Sequence, residues 1–357
     1  MTVQAPRLVV DIKAVEENAA RVVQKCALGG ITVSGVTKGM CALPEIASAL
    51  VSGGCTELAD SRMKNISALR RMGTGLPLLL LRVPMLSELP LVAAEADCTL
   101  VSEPEAVRAL QRECELLVNS HEVIVMIDLG DLREGIWMGQ TEEMARVLAQ
   151  SHRIRCRGVG VNFGCYGGTL PTTSKLDQLI SIGKELEREL GYPLETFSGG
   201  ATSSLLLLEQ NAVPKGINNL RIGEAILLGS DATSMRAIPW LRRDTMRLEA
   251  EIVELKRKPS VPVGPAGADA FGNIPEFEDR GERLRAIAAI GRQDVRIEGL
   301  TPENSGIIIL GGSSDHMILD VEEAGGGLAV GSTVAFFPDY GAMLALSTSP
   351  YVSLEVV

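Results

Sequence analysis

Apolar positions in the first two thirds of the chain follow two rhythms in turn. Short runs of consecutive β-branched or aliphatic residues alternate with longer stretches in which apolar residues recur at helical spacing. Leu8–Asp11 reads as a strand and Ala14–Lys25 as a helix. A strand over Ile31–Thr37 opens a regular series: helix Leu43–Ser52, strand Thr56–Ala59, helix Lys64–Met72, strand Leu78–Val83, helix Leu86–Glu95, strand Cys98–Val101 and helix Pro104–Val118. Strand Val123–Leu129, helix Thr141–Gln150, strand Cys156–Asn162, helix Leu176–Leu190, strand Glu195–Ser198, an apolar helix around Ser204–Gln210 and strand Leu220–Ile222 complete it. This predicts about eight β/α units in roughly two hundred residues, the size and rhythm of a (β/α)8 TIM barrel. A doubly wound sheet has the same periodicity and stays open as the alternative.

Past about Asp231 the rhythm changes. Leu248–Leu255, Arg285–Ile290, Ile307–Leu310, Met317–Val321 and Thr333–Phe337 are short strand-like runs separated by Gly, Pro and Asp, with no long helical pattern among them. The expected organisation is an α/β barrel over residues 1–231 and a C-terminal, mostly β domain over residues 232–357.

Composition narrows the function classes. With 46% apolar and 22% charged residues, the 357-residue chain has the make-up of an ordinary globular enzyme. A net charge of -11 argues against nucleic acid or an anionic membrane as the main partner. The seven cysteines are scattered and form no metal or disulfide spacing, and three histidines leave little for a metal centre. The start MTVQAPRLVV lacks a basic segment followed by an apolar one, and runs such as LPLLLL are too short to span a bilayer. A reduced, cytoplasmic protein is expected.

Four stretches fall at the C-terminal ends of the expected barrel strands, the face where such barrels carry their sites. Lys38, in VTKGMCA, ends the first; it is either a solvated charge or a Schiff-base lysine. DLGDLREG ends the fifth and offers Arg133, for a substrate carboxylate or for an ion pair with Glu134 or Asp131. SGGATSS ends the seventh, and LRIGEA ends the eighth. A Gly-rich turn with hydroxyls running into a helix suits a phosphate, or is simply a capped turn. A lysine aldehyde trap, a phosphate cradle and a carboxylate clamp on one face describe pyridoxal phosphate plus an amino acid.

At this point the chain resembles the alanine racemase superfamily of pyridoxal-phosphate enzymes, most closely its alanine/ornithine racemase branch. The resemblance rests on VTKGMCA, ADSR, LLRVPML, DLGDLREG, GVGVNFGCYG, SGGATSS, NLRIGEA, DAFGN, AIGRQD and SSDHMILDV in fixed order. It implies a barrel followed by a β domain, in head-to-tail homodimers whose β domain completes the partner's active site. It also implies that Lys38 carries the Schiff base and that Arg221 meets the pyridine nitrogen. Ser203, Gly223 and Glu224 bind the phosphate, the last two through backbone N–H groups. Asn162 lies beside the ring, and Arg133 is near the substrate carboxylate.

Three positions depart from alanine racemases. Arg292 stands where their second catalytic base, a tyrosine, would be; Ala42 replaces a phosphate-binding tyrosine; and Met126 replaces the lysine that supports the fifth-strand arginine. Racemisation needs a base on each face of the substrate. Lys38 serves one, and the partner subunit's His316, aided by the partner subunit's Asp315, is the choice for the other; a structural histidine in a turn and Tyr166 are the alternatives. For a basic substrate, Asp269, Glu224 or Asp294 is available to the distal ammonium, with Arg292 also at the substrate site. The expected activity is a racemase of ornithine or a similar basic amino acid. Racemases of lysine, alanine or serine, and a non-catalytic pyridoxal-phosphate carrier, are the competing readings.

Overall fold

The strand Thr32–Val36 pairs in parallel with Asn219–Ile222 on one side and Glu57–Asp60 on the other. Parallel pairing continues through Leu78–Leu80, Cys98–Val101, His121–Asp128, Ile154–Val161 and Thr196–Ser198, which returns to Asn219–Ile222. Eight strands thus close on themselves, and the computed structural model, which describes residues 5–357, is a (β/α)8 barrel and not an open doubly wound sheet. The strands are apolar runs because both faces are covered: outward residues pack on helices, and inward residues meet across the barrel.

The helices follow from local chemistry. Ile12–Ala27 buries Ala14, Val15, Asn18, Ala19, Val22 and Cys26, one stripe at helical spacing. Pro44 and Pro104 open their helices, where a missing N–H costs nothing. Thr172 caps Thr173–Leu190 by accepting the Lys175 N–H. Inside the barrel, Val36, Ala59, Leu79, Cys98, Leu100, Ile124 and Met126 form an apolar cluster. Ser34, Glu57, Ser198, Asn219 and Arg221 are also buried, so the opposite side of the interior is polar.

Contacts divide the chain into two compact units, Ile12–Arg243 and a second made of the residues up to Asp11 with Asp244–Val357. Both edges differ from the expected division at residue 231. The first strand, Arg7–Val10, pairs antiparallel with Met246–Pro259 and parallel with Ser353–Val356, so it belongs to the β unit. The barrel unit keeps the segment after 231 because Asn18, on its first helix, donates to the carbonyls of Ile226 and Arg242 and accepts the Arg242 N–H.

The β unit is an antiparallel sheet in the order Leu300–Pro302, Thr333–Pro338, Met246–Pro259, Glu282–Ala288, Met317–Asp320, Ile308–Gly312. Met246–Pro259 runs beyond the expected Leu255. Lys256, Arg257 and Lys258 continue the ladder with Arg285, Leu284 and Arg283, so pairing rather than hydrophobicity extends the strand. A two-turn helix, Tyr340–Leu346, capped by the Asp339 carboxylate, is too short to leave a periodic signal. No helix among the described residues is long and apolar enough to cross a membrane.

His121, at the start of the fifth barrel strand, is buried against Thr99 Oγ1 at 2.8 Å, and burial lowers its pKa to about 4. The unfolded chain therefore binds a proton that the folded chain refuses as pH falls below the ordinary histidine value. Stability should decline between about pH 6.5 and about pH 4, and His121→Gln should flatten that slope by up to one proton. Urea titrations across the interval measure both.

Candidate active site

Lys38 leaves the first barrel strand in a 3-10 turn, Lys38–Met40. The preceding residue is fastened to the next strand: the Thr37 N–H donates to Ala59 O at 2.9 Å, and Thr37 Oγ1 donates to Asp60 Oδ2 at 2.7 Å. Asp60 Oδ1 accepts the Arg62 N–H and Asn65 Nδ2, each at 3.0 Å. This buried carboxylate, part of ADSR, so fixes the base of the Lys38 turn. Lys38 is half-buried, and burial pulls its amine below the ordinary lysine range. Asp60 and Glu134 oppose that pull, while the charge of Arg133 adds to it. A depressed amine is a better nucleophile and a better base near neutral pH.

Arg221 points into the barrel from the eighth strand and is almost wholly buried. Its Nη1 donates to Ser198 Oγ, and its Nη2 to Val161 O at 2.7 Å and Asn162 Oδ1 at 2.8 Å. Gly160 leaves room for it, since a Cβ there would lie 3.3 Å from Nη1. Burial lowers the guanidinium to about 10, still charged at neutral pH. Asn162 in turn donates to Glu134 Oε1 at 2.6 Å, and Glu134 pairs with Arg133 at 2.5 Å. Arg133, Glu134, Asn162 and Arg221 therefore form one array of alternating donors and acceptors. The sequence offers Glu134 only as a surface partner of Arg133. Its bond to Asn162 makes it the anion between two guanidinium groups.

The loop carrying Arg133 is internally tied, because Asp128 Oδ1 accepts the N–H groups of Gly130 and Leu132. Asp131, also buried, grips the neighbouring loop: it accepts from the backbone of Gly164, Cys165, Tyr166 and Thr169 at 3.0–3.4 Å. This holds GCYG in place and leaves Tyr166 exposed. The two aspartates flanking Gly130 in DLGD were a legible turn signal, but the grip on the distant loop was not.

SGGATSS turns through Gly200, whose φ of +110 excludes side chains. Thr202 Oγ1 accepts the Ala225 N–H at 3.1 Å and ties this turn to the start of the short helix Glu224–Leu228. Ser203 Oγ is buried with no partner. Gly223 joins strand to helix, and the Glu224 carboxylate accepts from Ser230 Oγ and the Ala232 N–H.

The remaining expected residues lie in the β unit. His316 is exposed in a turn, donating its backbone N–H to Ser313 Oγ, while Asp315 accepts from Ser314 Oγ at 2.6 Å. Asp269 accepts the N–H groups of Asn273 and Phe271, which hold its pKa below the usual carboxylate range. Arg292 lies 5.5 Å from the Phe271 ring centroid and is occupied by Gly312 O and Glu298. Asp294 is buried and accepts from Ser349 Oγ.

Residues 10–231 match the family described as alanine racemase, N-terminal domain. Over 97% of its length the chain is 42% identical to the lysine racemase of Thermotoga maritima, covering 97% of that protein. Over 99% of its length it is 40% identical to the ornithine racemase of Acetoanaerobium sticklandii, covering 99% of it. The chain belongs to the alanine racemase family. Its fold is also that of the solved alanine racemase of Bartonella henselae with covalently bound pyridoxal phosphate, at 15% identity and a TM-score of 0.75, over 98% of this chain and 99% of that one.

Enzymes of the alanine racemase family depend on pyridoxal phosphate, and the residues present suit that group. A half-buried amine with a depressed pKa suits its aldehyde. An unpartnered buried hydroxyl in a Gly-rich turn suits its phosphate, and a buried guanidinium suits a ring acceptor. Among the described residues no group of three or more His, Cys, Asp or Glu is placed to hold a metal ion.

Because the Lys38 amine is depressed, the folded chain releases its proton at lower pH than the unfolded chain does. The penalty of burying the charge is complete below the folded value and fades as pH rises through it toward that of a free lysine. In cofactor-free protein, Lys38→Met should raise the urea midpoint at pH 7 and do so less at pH 10. An equal gain at both values would remove the charge from the account.

Proposed function

We propose that this member of the alanine racemase family is a pyridoxal-phosphate-dependent racemase of ornithine, lysine or a similar basic amino acid, working in the cytoplasm as a head-to-tail homodimer. The observation that carries the reading is geometric: the first and eighth barrel strands, which carry Lys38 and Arg221, are paired, and Arg221 continues through Asn162 and Glu134 to Arg133, while Ser203 Oγ is buried and unpartnered. Two near-full-length relatives named for racemising basic amino acids support the substrate class. The scattered spacing of the seven cysteines supports a reducing compartment.

Bound pyridoxal phosphate supplies an electrophilic carbon for the substrate amine and a conjugated ring that takes up the electron pair released at Cα. The protein does the rest. Lys38 holds the cofactor and then moves the α-proton on one face. Ser203 Oγ, with the backbone N–H groups of Gly223 and Glu224, holds the phosphate. Arg221 donates to the ring nitrogen and keeps it unprotonated, which limits electron uptake and favours return of the proton. Asn162 lies beside the ring, anchored through Glu134. Arg133 receives the substrate carboxylate, held by its ion pair with Glu134. The partner subunit's His316, beside the partner subunit's Asp315, serves the opposite face. Asp269, kept ionised by its turn and near the Arg292–Phe271 stack, receives the distal ammonium.

Proton NMR of L-ornithine and L-lysine in D2O, with chiral analysis of the same tube, is the direct test. Loss of the α-proton signal with appearance of the D form is expected; no exchange with any amino acid would leave a cofactor carrier. Lys38→Ala should abolish both exchange and the visible absorbance of lysine-linked cofactor. Arg133→Ala should raise KM roughly tenfold or more while the cofactor stays bound.

His316→Asn should stop inversion but leave exchange of one enantiomer. Full inversion in that variant would move the second base to Tyr166.

A further inference from the structure

Burying Arg221 is expensive unless its charge is answered. None of the three groups it touches, Ser198, Val161 O and Asn162, is a carboxylate. The hydrogen bonds beyond Ser198, however, run in one direction. Ser198 Oγ donates to Asn219 Oδ1 at 2.5 Å, and Asn219 Nδ2 donates to Ser34 Oγ at 3.0 Å. Ser34 Oγ donates to Glu57 Oε2 at 2.7 Å. Every hydroxyl accepts on the Arg221 side and donates on the Glu57 side, so all the dipoles point from cation to anion. Ser34 and Ser198 are fully buried, and Asn219 and Glu57 nearly so, so little water competes with these bonds.

The far end is anchored too. Glu57 Oε1 meets Arg157 at 2.8 Å, and Arg157 lies at a register shift where Val123 pairs with Cys156 but Ile124 pairs with Gly158. A bulge of this kind re-aims a side chain.

We propose that Ser198, Asn219 and Ser34 form a polarised relay through the barrel that couples Arg221 to Glu57, making Glu57 and Ser34 positioning residues for the group that meets the cofactor ring. Aligned hydrogen bonds strengthen one another in a low dielectric. Glu57, after Glu134, contributes to the electrostatic environment of Arg221, although its own partners are Ser34 and Arg157. The relay's role toward the ring rests on the racemase reading, but its existence does not.

Two measurements separate those levels. In cofactor-free protein, a double-mutant cycle of Glu57→Gln with Arg221→Met, read by urea unfolding, should be non-additive although the two residues lie on strands that are not neighbours. Additive effects overturn the relay whatever the enzyme does. If Arg221→Met does not fold, Glu57→Gln against Ser198→Ala gives the same cycle without it.

In the loaded enzyme, Ser34→Ala should lower kcat roughly tenfold with KM nearly unchanged and shift the absorbance of bound cofactor. Ser34→Thr, which keeps the hydroxyl, should restore both. Loss of stability alone, with unaltered kcat and spectrum, overturns the positioning role. Failure of the wild-type chain to bind pyridoxal phosphate would instead count against the racemase reading.

Discussion

Pairing between the first and the eighth barrel strand sets everything that follows. Leu220, Arg221 and Ile222 lie opposite Val33, Ser34 and Gly35. Side chains alternate along a strand, so this register turns Arg221 and Ser34 into the barrel together and sends Leu220 and Ile222 out to the helices. A slip by one residue would bury a guanidinium among apolar helix faces. The same closure brings the ends of the two strands together, one leading to Lys38 and the other to Gly223 and the helix Glu224–Leu228.

The barrel interior is divided by chemistry. One side is filled by Val36, Leu79, Leu100, Ile124 and their neighbours, which supply hydrophobic stability. The other carries a file of buried polar groups in which each donor has an acceptor. Such a file is tolerable only when complete, because a half-satisfied network in a low dielectric costs more than an apolar core. A hydroxyl lost from the file therefore leaves a buried partner unanswered.

At the mouth, the charges are balanced in close quarters. Arg133 and Arg221 would repel each other and discharge Lys38 further, were Glu134 not set between them with Asn162 as its bridge. Glu134 gives the fifth-strand arginine a support that lies next to it in sequence. Asp60 and Asp131 do the quieter work, one holding the Lys38 turn and the other holding the GCYG loop.

Sequence alone determined the barrel strands, since strands covered on both faces must be apolar throughout. It also offered Lys38 and the hydroxyls of SGGATSS as candidates, since a lysine ending a strand and hydroxyls in a Gly-rich turn are local patterns with local physics, whereas Arg221 stood out only through resemblance to a family. Less was legible where partners are distant. Ser34 and Asn219 are separated by 185 positions, and only barrel closure makes them neighbours. The inclusion of Arg7–Val10 in the β unit depends likewise on pairing with Met246–Pro259, for an apolar strand carries no mark of the sheet it will join. Tertiary structure decided which anion answers Arg221, because burial and register, set by the whole fold, select the partners that each buried polar group must find.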